Sequence, residues 1–133
     1  MTDYFHYRLS KEEILKISSL GLAHIGDAVY ELLVRAWLCG NGKETSQDMH
    51  RAAVAKVAAP AQAAAMRKLL PELTEEERAV YKRGRNCKVN SVPARATLEE
   101  YHAATALEAL FGYLYLIGET ERINELFAKT LED

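Results

Sequence analysis

Two stretches of this chain, residues 22–38 (LAHIGDAVYELLVRAWL) and 103–116 (AATALEALFGYLYL), are apolar around nearly the whole circumference of a helix. Helices of that kind are normally buried at the centre of a bundle. Each nevertheless carries a carboxylate near its middle, Asp27 in the first and Glu108 in the second. A buried carboxylate is expensive unless it has a charge partner, a metal or water. A structural carboxylate in each helix independently must explain the same expense twice. A shared divalent-cation site explains both at once. Magnesium suits it, because this hard ion binds one or two carboxylates and keeps waters that contact a phosphate. Ala23, Gly26 and Ala28 permit close approach to the first helix, and Glu31 lies one turn from Asp27 on the same face.

The remainder of the chain is also read as helical, making the fold class all-α with about six or seven helices in one domain, residues 1–133. No stretch alternates apolar and polar residues with β-branched enrichment, and alanine and leucine dominate. Ser10 and Glu13 form a capping box that opens a short helix ending near Gly21. The long helix from about Leu22 to Leu38 stops at the glycines 40 and 42. Thr45 or Ser46 caps a helix over 49–59, which Pro60 breaks or kinks before 61–70. Thr74 and Glu77 form a second capping box for a helix reaching about Arg85. Residues 86–96 read as an irregular loop, 97–117 as a helix, and 120–131 as the last helix.

The net charge of -2, from 17 Lys plus Arg against 19 Asp plus Glu, excludes a uniformly basic nucleic-acid binder. It conceals an asymmetry. From Arg78 to Leu98 there is no acidic residue, while Arg78, Lys82, Arg83, Arg85, Lys88 and Arg95 all fall there. Lys82, Arg85 and Lys88 follow at about helical spacing, so this segment would present one positive face. Cations at a helix C-terminus also complement its dipole, which is the structural alternative. Lys and Arg suit the phosphates of a duplex, and Asn86 or Asn90 would reach 2′-hydroxyls. His50, Arg51, Lys56, Arg67 and Lys68 would add to the surface, but nothing in the sequence orients them. Cys39 and Cys87 are too few for a zinc site or a disulfide framework. With no apolar leader at the N-terminus and no uninterrupted apolar span, the expectation is a cytoplasmic protein.

Residues 22–29, LAHIGDAV, resemble the signature helix of the ribonuclease III catalytic domain. Residues 105–116, TALEALFGYLYL, resemble that family's second carboxylate motif. Both occur in the family's order, about eighty residues apart in an all-α chain. The resemblance covers essentially the full length and is closest to the short Mini-III ribonucleases, which lack a double-stranded-RNA-binding domain. Residues 82–86, KRGRN, also resemble a motif of that short group. The larger enzymes of the family place further carboxylates in both motifs. One would fall at Ala23 here and another at Thr105, and Leu20 is apolar too. The short group shares this reduced pattern.

The resemblance implies a magnesium-dependent endoribonuclease acting on double-stranded RNA. Asp27 and Glu108 would be the catalytic, metal-holding residues. Lys82, Arg83, Arg85, Asn86 and Lys88 would bind the RNA. It further implies metal-activated water attack, 5′-phosphate and 3′-hydroxyl products and a homodimer. It also implies a role in maturing large-subunit (23S) ribosomal RNA with a ribosomal protein assisting. Two other classes remain open at this point: a catalytically inactive helical RNA-binding or ribosome-assembly protein, and a helical protein–protein module whose carboxylates are structural.

Overall fold

A computed structural model of the chain describes residues 1–88 and 96–132. Seven α-helices and one 3-10 turn make up the regular structure of these residues, with no strand among them. The helices are α1 (Lys11–Leu15), α2 (Ser19–Gly40), α3 (Ser46–Val57), α4 (Ala59–Leu69), α5 (Glu75–Arg85), α6 (Leu98–Ile117) and α7 (Thr120–Thr130).

The caps follow the sequence where it is most explicit. Ser10 with Glu13 and Thr74 with Glu77 form complete capping boxes, as do Thr97 and Glu100 at the start of α6. Each satisfies two N–H groups that a helix start leaves without partners. Gly118 ends α6 in the left-handed region at φ 85°, a conformation that a side chain disfavours.

Three boundaries differ from expectation. The first helix stops at Leu15, not near Gly21, with Lys16 as its C-cap. The long helix begins at Ser19, not at Leu22, because the Ser18 hydroxyl accepts the Gly21 N–H and caps it there. The break between α3 and α4 falls at Ala58, whose ψ of 147° is extended. Pro60 therefore sits in the first turn of α4, where its missing N–H costs nothing.

A larger correction concerns which helix is central. Among the described residues only α6 is buried nearly all round, from Ala104 through Leu116 with Glu108 and Tyr115 less so. It packs against α2, α4, α5, α7 and α1. Helix α2 buries a single stripe, Leu22, Ala23, Gly26, Tyr30, Val34 and Leu38. Its other side, with His24, Ala28, Leu32, Arg35 and Ala36, is exposed, and Asp27 is exposed at the edge of the stripe. Apolar residues on that side, rather than burial on every side, account for the apolar sequence. Tyr30 pins the stripe to the core with its ring edge-on to Phe111 and Phe127, at centroid distances of 5.2 and 5.7 Å.

Two further sets of ties hold the helices together. Ahead of α1, the Leu9 N–H donates to the Leu116 carbonyl at 2.8 Å. Arg8 donates to the Tyr115 carbonyl at 3.0 Å and lies over its ring, and the Tyr115 hydroxyl donates to the Phe5 carbonyl. On the other side, Arg122 of α7 grips the buried Glu77 with two hydrogen bonds of 2.9 Å and donates to the Glu72 carbonyl at 2.8 Å. Among the described residues no helix is long and apolar enough to cross a membrane.

Candidate active site

The two carboxylates meet because two glycines let their helices touch. A Cβ on Gly26 would lie 1.5 Å from the Glu108 carbonyl oxygen and 2.8 Å from the Gly112 nitrogen. A Cβ on Gly112 would lie 2.0 Å from the Leu22 carbonyl oxygen. Helices α2 and α6 thus cross backbone against backbone, with no side chain between them. Asp27 follows one of these glycines and Glu108 lies one turn before the other. The crossing therefore sets the two acids side by side at the rim of the core. Asp27 is exposed and Glu108 is half-buried.

Burial, and then the charge of Asp27 beside it, push the Glu108 carboxyl up to about 8. Gln62, on α4, opposes that shift. Its amide Nε2 donates to Glu108 Oε2 at 3.5 Å, a long hydrogen bond. Two carboxylates with no basic partner among the described residues form an anionic pair that a hard cation would neutralise. The donor set therefore fits magnesium. Among the described residues no group of three or more His, Cys, Asp or Glu side chains gathers anywhere. The protein would supply two carboxylates, and water or substrate oxygens the rest.

The neighbours weighed from the sequence stand apart from this pair. Glu31 is taken by Arg35 in an ion pair of 2.6 Å. The buried Thr105 hydroxyl donates to the Tyr101 carbonyl at 3.0 Å. His24 is exposed. His102 Nδ1 is buried without a hydrogen-bond partner among the described residues, and its ring lines the separate cavity described next.

Lys82, Arg83, Arg85, Asn86 and Lys88 are all exposed at the end of α5 and just beyond it. Arg85, Asn86 and Lys88 line a cavity of about 1150 Å³ between α4, α5 and the start of α6, whereas Lys82 and Arg83 lie outside it. Helix α5 ends at Arg85, so helical spacing does not extend to Lys88. Arg67, which the sequence left unoriented, lines the same cavity from α4. Arg78 is not part of this surface, since it donates to the Leu70 carbonyl at 2.9 Å. Asn90 and Arg95 lie outside the described residues. Sequence reasoning missed Gln62 altogether: a lone glutamine in the alanine-rich tract of α4 gives no signal until α4 is seen against α6.

Comparison with known proteins supplies the frame for this geometry. The Ribonuclease III domain matches residues 20–119, which contain both carboxylates and the glycine crossing. The Mini-ribonuclease 3 of Symbiobacterium thermophilum is 47% identical over 112 residues, covering 84% of this chain and 86% of that protein. The Mini-ribonuclease 3 of Brevibacillus brevis is 44% identical over 122 residues, covering 89% and 91%. A crystal structure of a protein from Fusobacterium nucleatum superposes with a TM-score of 0.79 at 34% identity, covering 87% of this chain and 93% of that one. The chain belongs to the ribonuclease III family of endoribonucleases, and it resembles the family's Mini-ribonuclease 3 members over most of its length.

Proposed function

We propose that this endoribonuclease cleaves double-stranded RNA with magnesium, using Asp27 and Glu108 as its catalytic, metal-holding residues. The observation that carries the reading is the carboxylate pair set by the Gly26–Gly112 crossing, with Glu108 pushed up to about 8. An acid in that state is poised to exchange its proton for a cation. When bound, magnesium supplies charge neutralisation at the phosphate and an acidified water for in-line attack. The protein's own part is positional. The crossing fixes the spacing of the two carboxylates, and Glu108 gives up its proton as it takes up the cation. The products are 5′-phosphate and 3′-hydroxyl ends.

Lys82, Arg83, Arg85, Asn86 and Lys88 are proposed to hold the duplex, as cations and an amide that meet phosphates and 2′-hydroxyls. Their exposure supports this, as does the absence of an ion pair to any of them among the described residues. A second copy of the chain is proposed to pack on the open side of α2. There Leu20 and Leu32 are 48% and 53% exposed, on the i, i+4 ridge they share with His24, Ala28 and Ala36. Two active sites would then face the two strands. The biological substrate is proposed to be precursor 23S ribosomal RNA in the cytoplasm, with a ribosomal protein presenting it, by similarity to the Mini-III group.

The test is digestion of duplex and single-stranded RNA with and without magnesium, with the ends mapped, for the wild type and Asp27→Asn. The variant is expected to fold and bind RNA yet lose magnesium-dependent cleavage. Unchanged cleavage by the variant would sink the site. A wild type that binds duplex RNA but cleaves none with magnesium or manganese would favour the inactive RNA-binding protein.

A further inference from the structure

The anionic pair has a third neighbour that sequence motifs do not mark. Gln62 is 1% exposed, one of the few buried polar residues. It stands among Ala61, Ala63, Ala64, Ala65 and Met66 on α4. A buried primary amide carries two donors and an acceptor, so burying one in an alanine-rich helix face is costly unless a partner repays it. Its partner is Glu108, whose Oε2 accepts from Gln62 Nε2 at 3.5 Å. Asp27 approaches the same carboxylate from α2. Glu108 therefore stands between an acid on one helix and an amide on another. Hydrogen bonds of this kind are often long in a free enzyme and tighten when the site is loaded.

We infer that Gln62 is a positioning residue of the catalytic site: its amide N–H orients the Glu108 carboxylate toward the cation it shares with Asp27. The inference rests on the proposed roles of Asp27 and Glu108. The amide is well suited to this work. It donates to an ionised carboxylate without adding charge, whereas a lysine there would compete with the cation and a third acid would add repulsion. It also links α4 to the α2–α6 crossing, so the orientation of Glu108 is fixed from two sides.

The test substitutes Gln62→Met, close in length and without the amide, and Gln62→Leu as a second apolar replacement. Three quantities are read: manganese affinity by calorimetry without RNA, kcat and KM on a duplex RNA, and the unfolding midpoint. Outer-shell partners of metal ligands typically contribute about 10–100-fold in affinity or activity. The expected result is a fall of about tenfold or more in manganese affinity and in kcat. KM is expected to stay within about twofold and the unfolding midpoint to be equal or higher, since an apolar group suits the buried site. Wild-type manganese affinity and kcat in both variants would overturn the inference. So would loss of the fold in both, which would make Gln62 a packing residue. Glu108→Gln separates the two levels of the argument. If it abolishes cleavage while Gln62→Met is normal, only the role of Gln62 falls. If Glu108→Gln cleaves normally, the site itself falls.

Discussion

Replacing Gly26 by alanine attacks fold and site together, at a magnitude the structure sets. The new Cβ would stand 1.5 Å from the Glu108 carbonyl oxygen, where ordinary contact begins at 3.4 Å. Both sides of the clash are backbone within helices, so no rotamer change relieves it, and α2 and α6 must part by about 2 Å. Overpacking a core with a movable side chain costs about 1–3 kcal/mol. Here the cost lies at the top of that range or above, because separation also loosens Leu22, Tyr30 and Phe111. Alanine returns about 1 kcal/mol of helix propensity, leaving a net loss of about 2 kcal/mol or more. The internal standards are Gly84, whose Cβ would meet Ala106 Cα at 2.9 Å, and Gly40, where nothing lies within 4 Å. Urea unfolding of the three alanine variants should rank Gly40 as neutral or slightly stabilised, Gly84 as intermediate and Gly26 as worst. Cleavage by the Gly26 variant should fall more than its folded fraction does, since the carboxylates part with the helices. Wild-type stability for Gly26→Ala, or a different ranking, would refute the backbone crossing.

Metal binding should be linked to pH through Glu108, whose carboxyl sits at about 8. Affinity for manganese should rise between pH 6 and 8 and level off above, with nearly one proton released per ion at pH 7, read by calorimetry in two buffers. The same shift has a sign for stability. In the metal-free protein the extra proton stabilises the fold below the ordinary carboxylate range, and this contribution is lost as pH rises through about 8. Asp27→Asn should lessen that loss in unfolding experiments, because it removes the charge that assists burial in raising Glu108. Glu77 behaves oppositely: burial raises its carboxyl, but the Arg122 hydrogen bond and the Thr74 N–H outweigh this and hold it low. Its contribution is present above the ordinary carboxylate range and lost in acid, and Arg122→Leu should cost about 3 kcal/mol at neutral pH by leaving Glu77 unpaired. Reversing charge at Arg83 and Arg85 should weaken duplex binding and flatten its dependence on salt, and unchanged binding would remove those residues from the interface.

The helices were legible because their boundaries are written in local chemistry. Ser10, Thr74 and Gly118 act within a few residues of themselves, and their caps and stop appear where the sequence puts them. Glu108 was legible because a charge inside an apolar helix is anomalous without any knowledge of its neighbours, whereas the burial expected of Asp27 is not found, since it is exposed on α2. What escaped depends on how helices meet. The stripe of α2 that faces α6 is indistinguishable in the sequence from the side left open, since Leu32 and Ala28 are as apolar as Leu22 and Ala23. Gly112 reads as one small residue among many until it is seen against the Leu22 carbonyl oxygen. Gln62 and Arg67 gain meaning only from what α4 lies beside. The helical period that grouped Lys82 and Arg85 with Lys88 does not reach Lys88, because α5 ends at Arg85.

The tie ahead of α1 gives the molecule a handle. Phe5, Arg8 and Leu9 are fastened to the last turn of α6, whereas Arg85 and Lys88 border the first turn of that helix. A helix of 20 residues separates these two poles by about 30 Å. A tag, fluorophore or tether attached before Phe5 would thus be anchored at the pole away from the cations. Immobilising the protein by that end should leave them free to meet a duplex, and a dye placed there would report on the binding pole from a known, fixed distance.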